Sequence, residues 1–274
     1  MIRHSFGASK PRRLRWVLLA VLLATLASVA SADGVAYQAT SDYALKLGDE
    51  LVAEAEVFYS ARHVSYLVIS RHLERPLLAR IPEKEVVEVS ADSVSLDALQ
   101  GEAWLSPSEE RRLIGFERRL KEIRFELQGE PAALVPAPPV LGWRSPDSLR
   151  AKSHVMRSGF ARADKTSLAR KSLPLAPDRE LVVEVFFGSW DEYSQLVMPK
   201  IMQLEEDLAG NPVQFRYYGL PRRIADDPIG VEHAIHGVPT VVVSENETEL
   251  GRLVGRPLMQ PGASLEQLLT GGVE

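Results

Sequence analysis

The polar stretch Ser189-Trp190-Asp191-Glu192-Tyr193-Ser194 carries the side chains best placed to do chemistry. It follows an apolar run ending at Gly188 and precedes apolar residues at helical spacing, so it predicts the start of a helix. The unpaired N–H groups and the dipole of a helix start stabilise negative charge. One hypothesis is therefore a carboxylate-based or metal-dependent enzyme that uses Asp191, Glu192 and His236.

Two less reactive interpretations of this stretch stay open. Ser189 and Glu192 have the spacing of a capping box, so the stretch can be simply a well-capped helix start. Alternatively, Trp190, Tyr193 and Val238 form a surface that binds a ligand or a peptide.

Two histidines give the sequence a possible metal site. His233 and His236 have the spacing that can chelate a metal on a helix, and Asp191 could complete a zinc ligand set. Gly237-Val238-Pro239 ends the helix at that point, which argues against a shared face. We therefore predict no metal and no cofactor, with His236 as the remaining metal candidate.

The absence of cysteine excludes whole classes of chemistry. None of the 274 residues is cysteine. Thiol–disulfide exchange, thiolate zinc sites and cysteine-ligated iron–sulfur clusters all require the sulfur of this side chain. No such activity is open to this chain.

Residues 1–32 predict a secretory signal. A basic start is followed by an apolar run and by Ala30-Ser31-Ala32, the small-x-small pattern of a cleavage site. The apolar run is shorter than the ~20 residues of a spanning helix. We predict cleavage near Ala32, no stable membrane span afterwards, and a periplasmic or secreted location in a bacterium.

Cleavage would also change the charge. Of the 32 Lys and Arg, 5 lie in residues 1–32 and 27 remain, against 37 Asp and Glu, which gives a net charge of −10. An acidic chain without a basic block argues against nucleic acid and anionic lipid as partners.

Residues 33–128 are interpreted as an α+β region of no recognised type. Val64–Ile69 and Glu85–Ser90 predict strands because they are rich in β-branched residues. A capping box at 106–109, followed by Leu113, Phe116, Leu120 and Ile123, predicts a helix ending near Gly129. The run at 51–58 fits either a helix or a strand.

Residues 129–179 are predicted to be a linker followed by a helix. Five prolines between 129 and 146 indicate a stiff, extended segment rather than a packed element. Residues 147–170 then predict a polar helix.

Residues 180–274 predict the order strand, helix, strand, helix, strand, strand, helix. Leu181–Phe187 is apolar enough for a central strand covered on both faces. The helix over 189–208 contains Pro199, which should kink it. Residues 240–244 and 250–254 predict a hairpin, and a short helix follows from Ser264.

This order, together with two motifs, resembles the thioredoxin family over residues 180–272. The motifs are Phe186-Phe187-Gly188-Ser189-Trp190 after the first strand and Gly237-Val238-Pro239-Thr240 before the third. The resemblance implies an α/β chain: a C-terminal thioredoxin-like fold, with helices on both faces of a central mixed sheet, after the α+β region. It also implies a cis peptide at Pro239, and it places Asp191 and Ser194 where the family carries its two cysteines.

The function that follows from the resemblance is a redox-inactive, exported module that binds a protein or an extended peptide. The binding residues implied are Trp190, Glu192, Tyr193, Val238 and Pro239, and no catalytic residue is expected. The alternative is a protein of the thiol–disulfide oxidoreductase family whose nucleophilic cysteine has been replaced by Asp191.

Overall fold

The computed structural model describes residues 34–97, 100–166 and 180–271; the predicted signal at 1–32 lies outside these ranges. Strands predominate in the described chain. Those before the first helix are β1 (Val35–Thr40), β2 (Tyr43–Leu47), β3 (Glu50–Leu51), β4 (Glu56–Ser60), β5 (Ser65–Ile69), β6 (Leu77–Arg80), β7 (Glu85–Val89), β8 (Val94–Asp97), β9 (Glu102–Leu105), β10 (Glu110–Arg112), β11 (Glu117–Arg119), β12 (Glu122–Leu127), β13 (Glu130–Pro136) and β14 (Gly142–Arg144). The elements that follow are α1 (Pro146–Lys152), α2 (His154–Thr166), β15 (Leu181–Phe187), α3 (Glu192–Asp207), β16 (Val213–Gly219), α4 (Pro228–Glu232), β17 (Thr240–Glu245), β18 (Thr248–Val254) and α5 (Pro261–Leu269).

Two antiparallel sheets make up the first part of the chain. Sheet A has the order β10-β7-β6-β5-β4-β1-β9-β8, and sheet B has the order β11-β12-β13-β2-β3. Successive strand residues point to opposite faces, so Val57 and Phe58 of β4 belong to different clusters. Val57 packs with Leu45 and Phe125 of sheet B, whereas Phe58 joins a cluster formed by sheet A residues alone. Sheet A therefore buries apolar side chains on both faces.

Sheet C, in the order β14-β16-β15-β17-β18, forms the second part. Strands β15 and β16 are parallel, and the remaining pairs in this sheet are antiparallel. One face packs against the helices: Val185 and Phe187 meet Leu149 of α1, Met156 of α2 and Ile201 of α3. The other face carries a smaller cluster of Phe186, Tyr218, Leu220, Ile235 and Val242.

The predicted fold class is wrong. We expected an α/β chain with a thioredoxin-like C-terminal fold after an α+β region, but the structure is mostly β, with 41% strand against 25% helix. Its largest sheet is a curled, antiparallel sheet of eight strands, and helices are few. The main physical reason is that the apolar residues between 51 and 136 are buried by the pairing of short strands and not on one face of a helix.

Two local predictions fail with the fold class. The helix expected at 106–129 is replaced by β10, β11 and β12, and Gly115 and Leu120 have positive φ angles of 78° and 53° that a helix excludes. The linker expected at 129–146 is partly a packed strand, because β13 lies between β12 and β2 and buries Leu134.

Several other local predictions are confirmed. Strands β5 and β7 and the seven elements from β15 to α5 occur in the predicted order. Pro199 lies inside α3, and the Val238–Pro239 peptide is cis. Among the helices in the described ranges, none is long and apolar enough to cross a membrane.

Candidate functional site

The two positions predicted to replace cysteines hold the start of helix α3 together. Asp191 is the N-cap residue, and its Oδ2 accepts a hydrogen bond from the backbone N–H of Ser194 at 2.7 Å. The Oγ of Ser194, which is fully buried, accepts from the backbone N–H of Gly188 at 3.2 Å. Both side chains therefore satisfy backbone donors, as N-terminal helix caps do.

The predicted capping box of Ser189 and Glu192 is not formed. The Oγ of Ser189 instead accepts a hydrogen bond from the backbone N–H of Val140 at 2.8 Å, and Glu192 is exposed. Sequence spacing alone could not separate Ser189 from Asp191 as the cap, because both residue types favour that position.

Trp190 is held in one orientation by three contacts. Its Nε1 donates to the carbonyl of Leu220 at 3.0 Å, and the guanidinium of Arg222 lies 5.3 Å from the ring centroid. The indole also packs on Gly188, where a Cβ would come within 2.8 Å of the ring. The ring is therefore fixed against the sheet.

The remaining residues of the predicted binding surface do not form one continuous patch. Tyr193 packs on the helix-covered face of sheet C and donates to the carbonyl of Gly255 at 2.8 Å. Val238 packs on the opposite face, beside Leu220, and Pro239 is buried. Trp190 and Val238 thus both border Leu220, whereas Tyr193 lies on the other side of the sheet.

The two histidines of the predicted metal site lie in different environments. His236 is exposed, whereas His233 is partly buried, with its ring 4.9 Å from that of Phe186 and its Nδ1 3.6 Å from Glu184. The part of the chain that the structure describes contains no group of three His, Asp or Glu side chains that could hold a metal ion. The geometry therefore gives no support to a zinc site joining His236 and Asp191.

A cavity of about 640 Å³ lies beside Trp190, and residues from both 40–55 and 137–190 line it. We call it the Trp190 cavity. One wall comes from β2, β3 and the segment after β3, and another from the extended segment that joins β13 to β14. Its lining residues are Thr40, Ser41, Tyr43, Ala44, Leu51, Val52, Ala53, Glu54, Ala55, Ala137, Pro138, Pro139, Val140, Leu141, Arg144, Ala151, Ser153, Ser189 and Trp190.

The proline-containing wall sits directly on strand β16. Ala137 donates its backbone N–H to the carbonyl of Asp42 at 3.0 Å, which ties one end of the segment to sheet B. At the other end the carbonyl of Val140 faces Gly219, where a Cβ would lie only 2.1 Å from that oxygen. Glycine is required at 219 because no side chain fits between the strand and the wall.

The two charged side chains of the cavity, Glu54 and Arg144, differ in their partners. Glu54 accepts a hydrogen bond from Arg71 at 2.6 Å and is 3.3 Å from His72. Arg144, on β14, is partly buried, and its Nη1 donates to the carbonyl of Trp143 at 3.3 Å. Burial raises the pKa of the Tyr43 hydroxyl, so this group stays protonated.

Sequence reasoning identified Trp190 but missed the rest of the cavity. Residues 40–55 carry no motif, and the prolines at 138 and 139 suggested only a linker. Arg144 follows the exposed Trp143 in a three-residue strand, which gives no periodic signal. The cavity depends on contacts between segments about 100 residues apart, and a single sequence does not record such contacts.

Comparison with known proteins gives no assignment. No protein-family model, no curated protein and no solved structure matches the chain. The resemblance to the thioredoxin family therefore stays a prediction.

Proposed function

We propose that this chain is a non-enzymatic binding protein of the cell envelope that holds an extended, apolar segment of a protein partner in the Trp190 cavity. The observation that carries the proposal is the cavity itself. At about 640 Å³ it falls in the size range of ligand sites, and its lining is more apolar than polar. The fixed Trp190 ring offers an aromatic surface at little entropic cost.

The position of β3 favours a polypeptide over a compact small molecule. Strand β3 ends the order of sheet B and, among the described residues, pairs only with β2. Leu51 of this strand is 47% exposed and lines the cavity. An extended chain can pair with an open strand edge while its side chains enter the adjoining apolar space.

The chemistry of the site supports binding rather than catalysis. The chain has no cysteine for disulfide exchange. Asp191 and Ser194 are both engaged in hydrogen bonds to the backbone, and Ser194 is fully buried. Neither group is placed to attack a substrate.

A peptide-binding measurement tests this function. An array of random 12-residue peptides would be screened with the purified chain, and dissociation constants of the strongest binders would be measured by fluorescence anisotropy. Trp190→Ala is expected to weaken binding by about 2 kcal/mol, roughly thirtyfold, because a central aromatic anchor is lost.

Trp143→Ala is the matched control. Trp143 is 44% exposed on β14 but does not line the cavity, so its removal should change peptide affinity less than threefold. Circular dichroism would confirm that both variants fold. Equal loss of affinity in the two variants, or no binding of any peptide to the wild type, would contradict the proposal.

A further inference from the structure

Arg144 is the one positive charge among the described residues that line the Trp190 cavity. Strand β14 positions it by antiparallel pairing with β16, where Arg144 lies opposite Tyr217. Of the other described residues that line the cavity, Glu54 alone carries a charge. The guanidinium is therefore set into a mainly apolar wall.

The guanidinium of Arg144 has no carboxylate partner within the described ranges. Its Nε is buried without a hydrogen-bond acceptor, and its Nη1 donates a hydrogen bond to the adjacent carbonyl of Trp143. Glu54, the acidic residue of the same cavity, is held by Arg71 and His72. A buried donor without a partner destabilises the folded chain, and more strongly when it is charged.

A ligand carboxylate would neutralise the guanidinium charge by accepting hydrogen bonds from its outer nitrogens, whereas Nε itself is buried. The planar guanidinium presents several N–H donors in a fork that matches the two oxygens of a carboxylate. The cavity thus combines an apolar lining with one unneutralised cation, which is the complement of an apolar ligand with one anionic end.

We propose that Arg144 binds the C-terminal carboxylate of the peptide segment that occupies the Trp190 cavity. This inference rests on the proposed peptide-binding function and names its ligand. The volume of about 640 Å³ has room for a few residues of a chain end. A chain end carries a carboxylate whatever its side chains are, and capture of that group is a known mode of peptide recognition.

The test uses an array of apolar hexapeptides attached through their N-termini. Each peptide is made with a free C-terminal carboxylate, as its C-terminal amide, and as an amide with glutamate at the last position. Wild type should bind the free acids at least tenfold more tightly than either amide. This comparison needs no variant and so does not depend on the folding of a mutant.

Variants then assign the preference to Arg144. Arg144→Gln should lower affinity for the free acids to that for the amides and leave the amides unchanged, and Arg144→Lys should keep part of the preference. Arg216→Gln is the matched control, because Arg216 lies on the neighbouring strand β16 and outside the cavity. It should leave all three affinities as they are.

The outcomes separate this inference from the function on which it rests. Acid and amide peptides that bind wild type within twofold of each other would overturn the role of Arg144 and leave peptide binding intact. If Arg144→Gln still prefers free acids to amides as strongly as wild type, the role of Arg144 is likewise overturned and peptide binding stands. Amides ending in glutamate that match the free acids would overturn the assignment to a chain terminus. Failure of every peptide to bind wild type would overturn both proposals.

Discussion

Gly219→Ala is expected to destabilise the protein and to disturb the Trp190 cavity at the same time. A Cβ at this position would lie 2.1 Å from the carbonyl oxygen of Val140 and 2.8 Å from its carbonyl carbon. Because both neighbours are backbone atoms, no rotamer change can relieve the overlap. The segment that carries Pro138 and Pro139 must move away from β16 by at least about 1.3 Å to reach ordinary contact distance.

The magnitude follows from two contributions. Overpacking a well-packed site costs about 1–3 kcal/mol. The same movement strains the hydrogen bond from Val140 to Ser189 Oγ, which is 2.8 Å long and contributes about 1 kcal/mol. We therefore expect a loss of about 3 kcal/mol, or roughly 6–12 °C in Tm for a chain of this size.

Urea denaturation and calorimetry would measure the loss, and the peptide array would measure the cavity. Affinity should fall in Gly219→Ala because the wall formed by the prolines is displaced. Gly237→Ala is the control, since a Cβ there meets nothing within 4 Å; it should stay within about 0.5 kcal/mol of wild type. A Gly219→Ala protein as stable as wild type would refute the packing of the 137–141 segment on β16.

Three further predictions concern other parts of the chain. Asp191→Ala should cost about 1 kcal/mol in thermal unfolding because the cap on Ser194 is lost, whereas Asp191→Asn should retain most of the stability. Burial raises the pKa of Glu205, although the hydrogen bond from Tyr217 opposes the shift. The folded chain then binds this proton more tightly than the unfolded chain, so the stability contributed by Glu205 is present below its unfolded pKa and is lost as pH rises through its folded pKa. As pH rises above about 4, the usual pKa range of a glutamate, Glu205→Gln should therefore lose less stability than wild type in urea denaturation; parallel curves would contradict this. N-terminal sequencing of exported protein should show cleavage after Ala32, and an intact N-terminus would contradict the predicted signal.

The sequence predicted the elements from β15 to α5 because they carry strong local signals, but it missed β14, which it assigned to the linker. Leu181–Phe187 is a continuous apolar run, and the apolar residues of α3 recur at helical spacing. The same method failed between 106 and 129, where Leu113, Phe116, Leu120 and Ile123 also have helical spacing. There, pairing of β10 with β7 and of β11 with β12 outweighs local propensity.

The prolines misled the prediction for a different reason. Pro131 and Pro136 lie near the two ends of β13, where a missing N–H is tolerated, and Ala132, Ala133 and Leu134 between them are buried. A proline count does not distinguish a strand bounded by prolines from an extended linker. The same limit hid the Trp190 cavity, one wall of which was assigned to the linker.

The order of the elements around sheet C determines where a C-terminal fragment for separate expression should begin. Strand β14 and helices α1 and α2 are encoded upstream of β15, yet Leu149 and Met156 fill the core beneath that strand. A fragment starting at Glu180 would leave this core open on one side and β16 without its outer neighbour. The shortest C-terminal fragment worth expressing therefore begins near Ala137, and the first part of the chain, expressed alone, should end just before it.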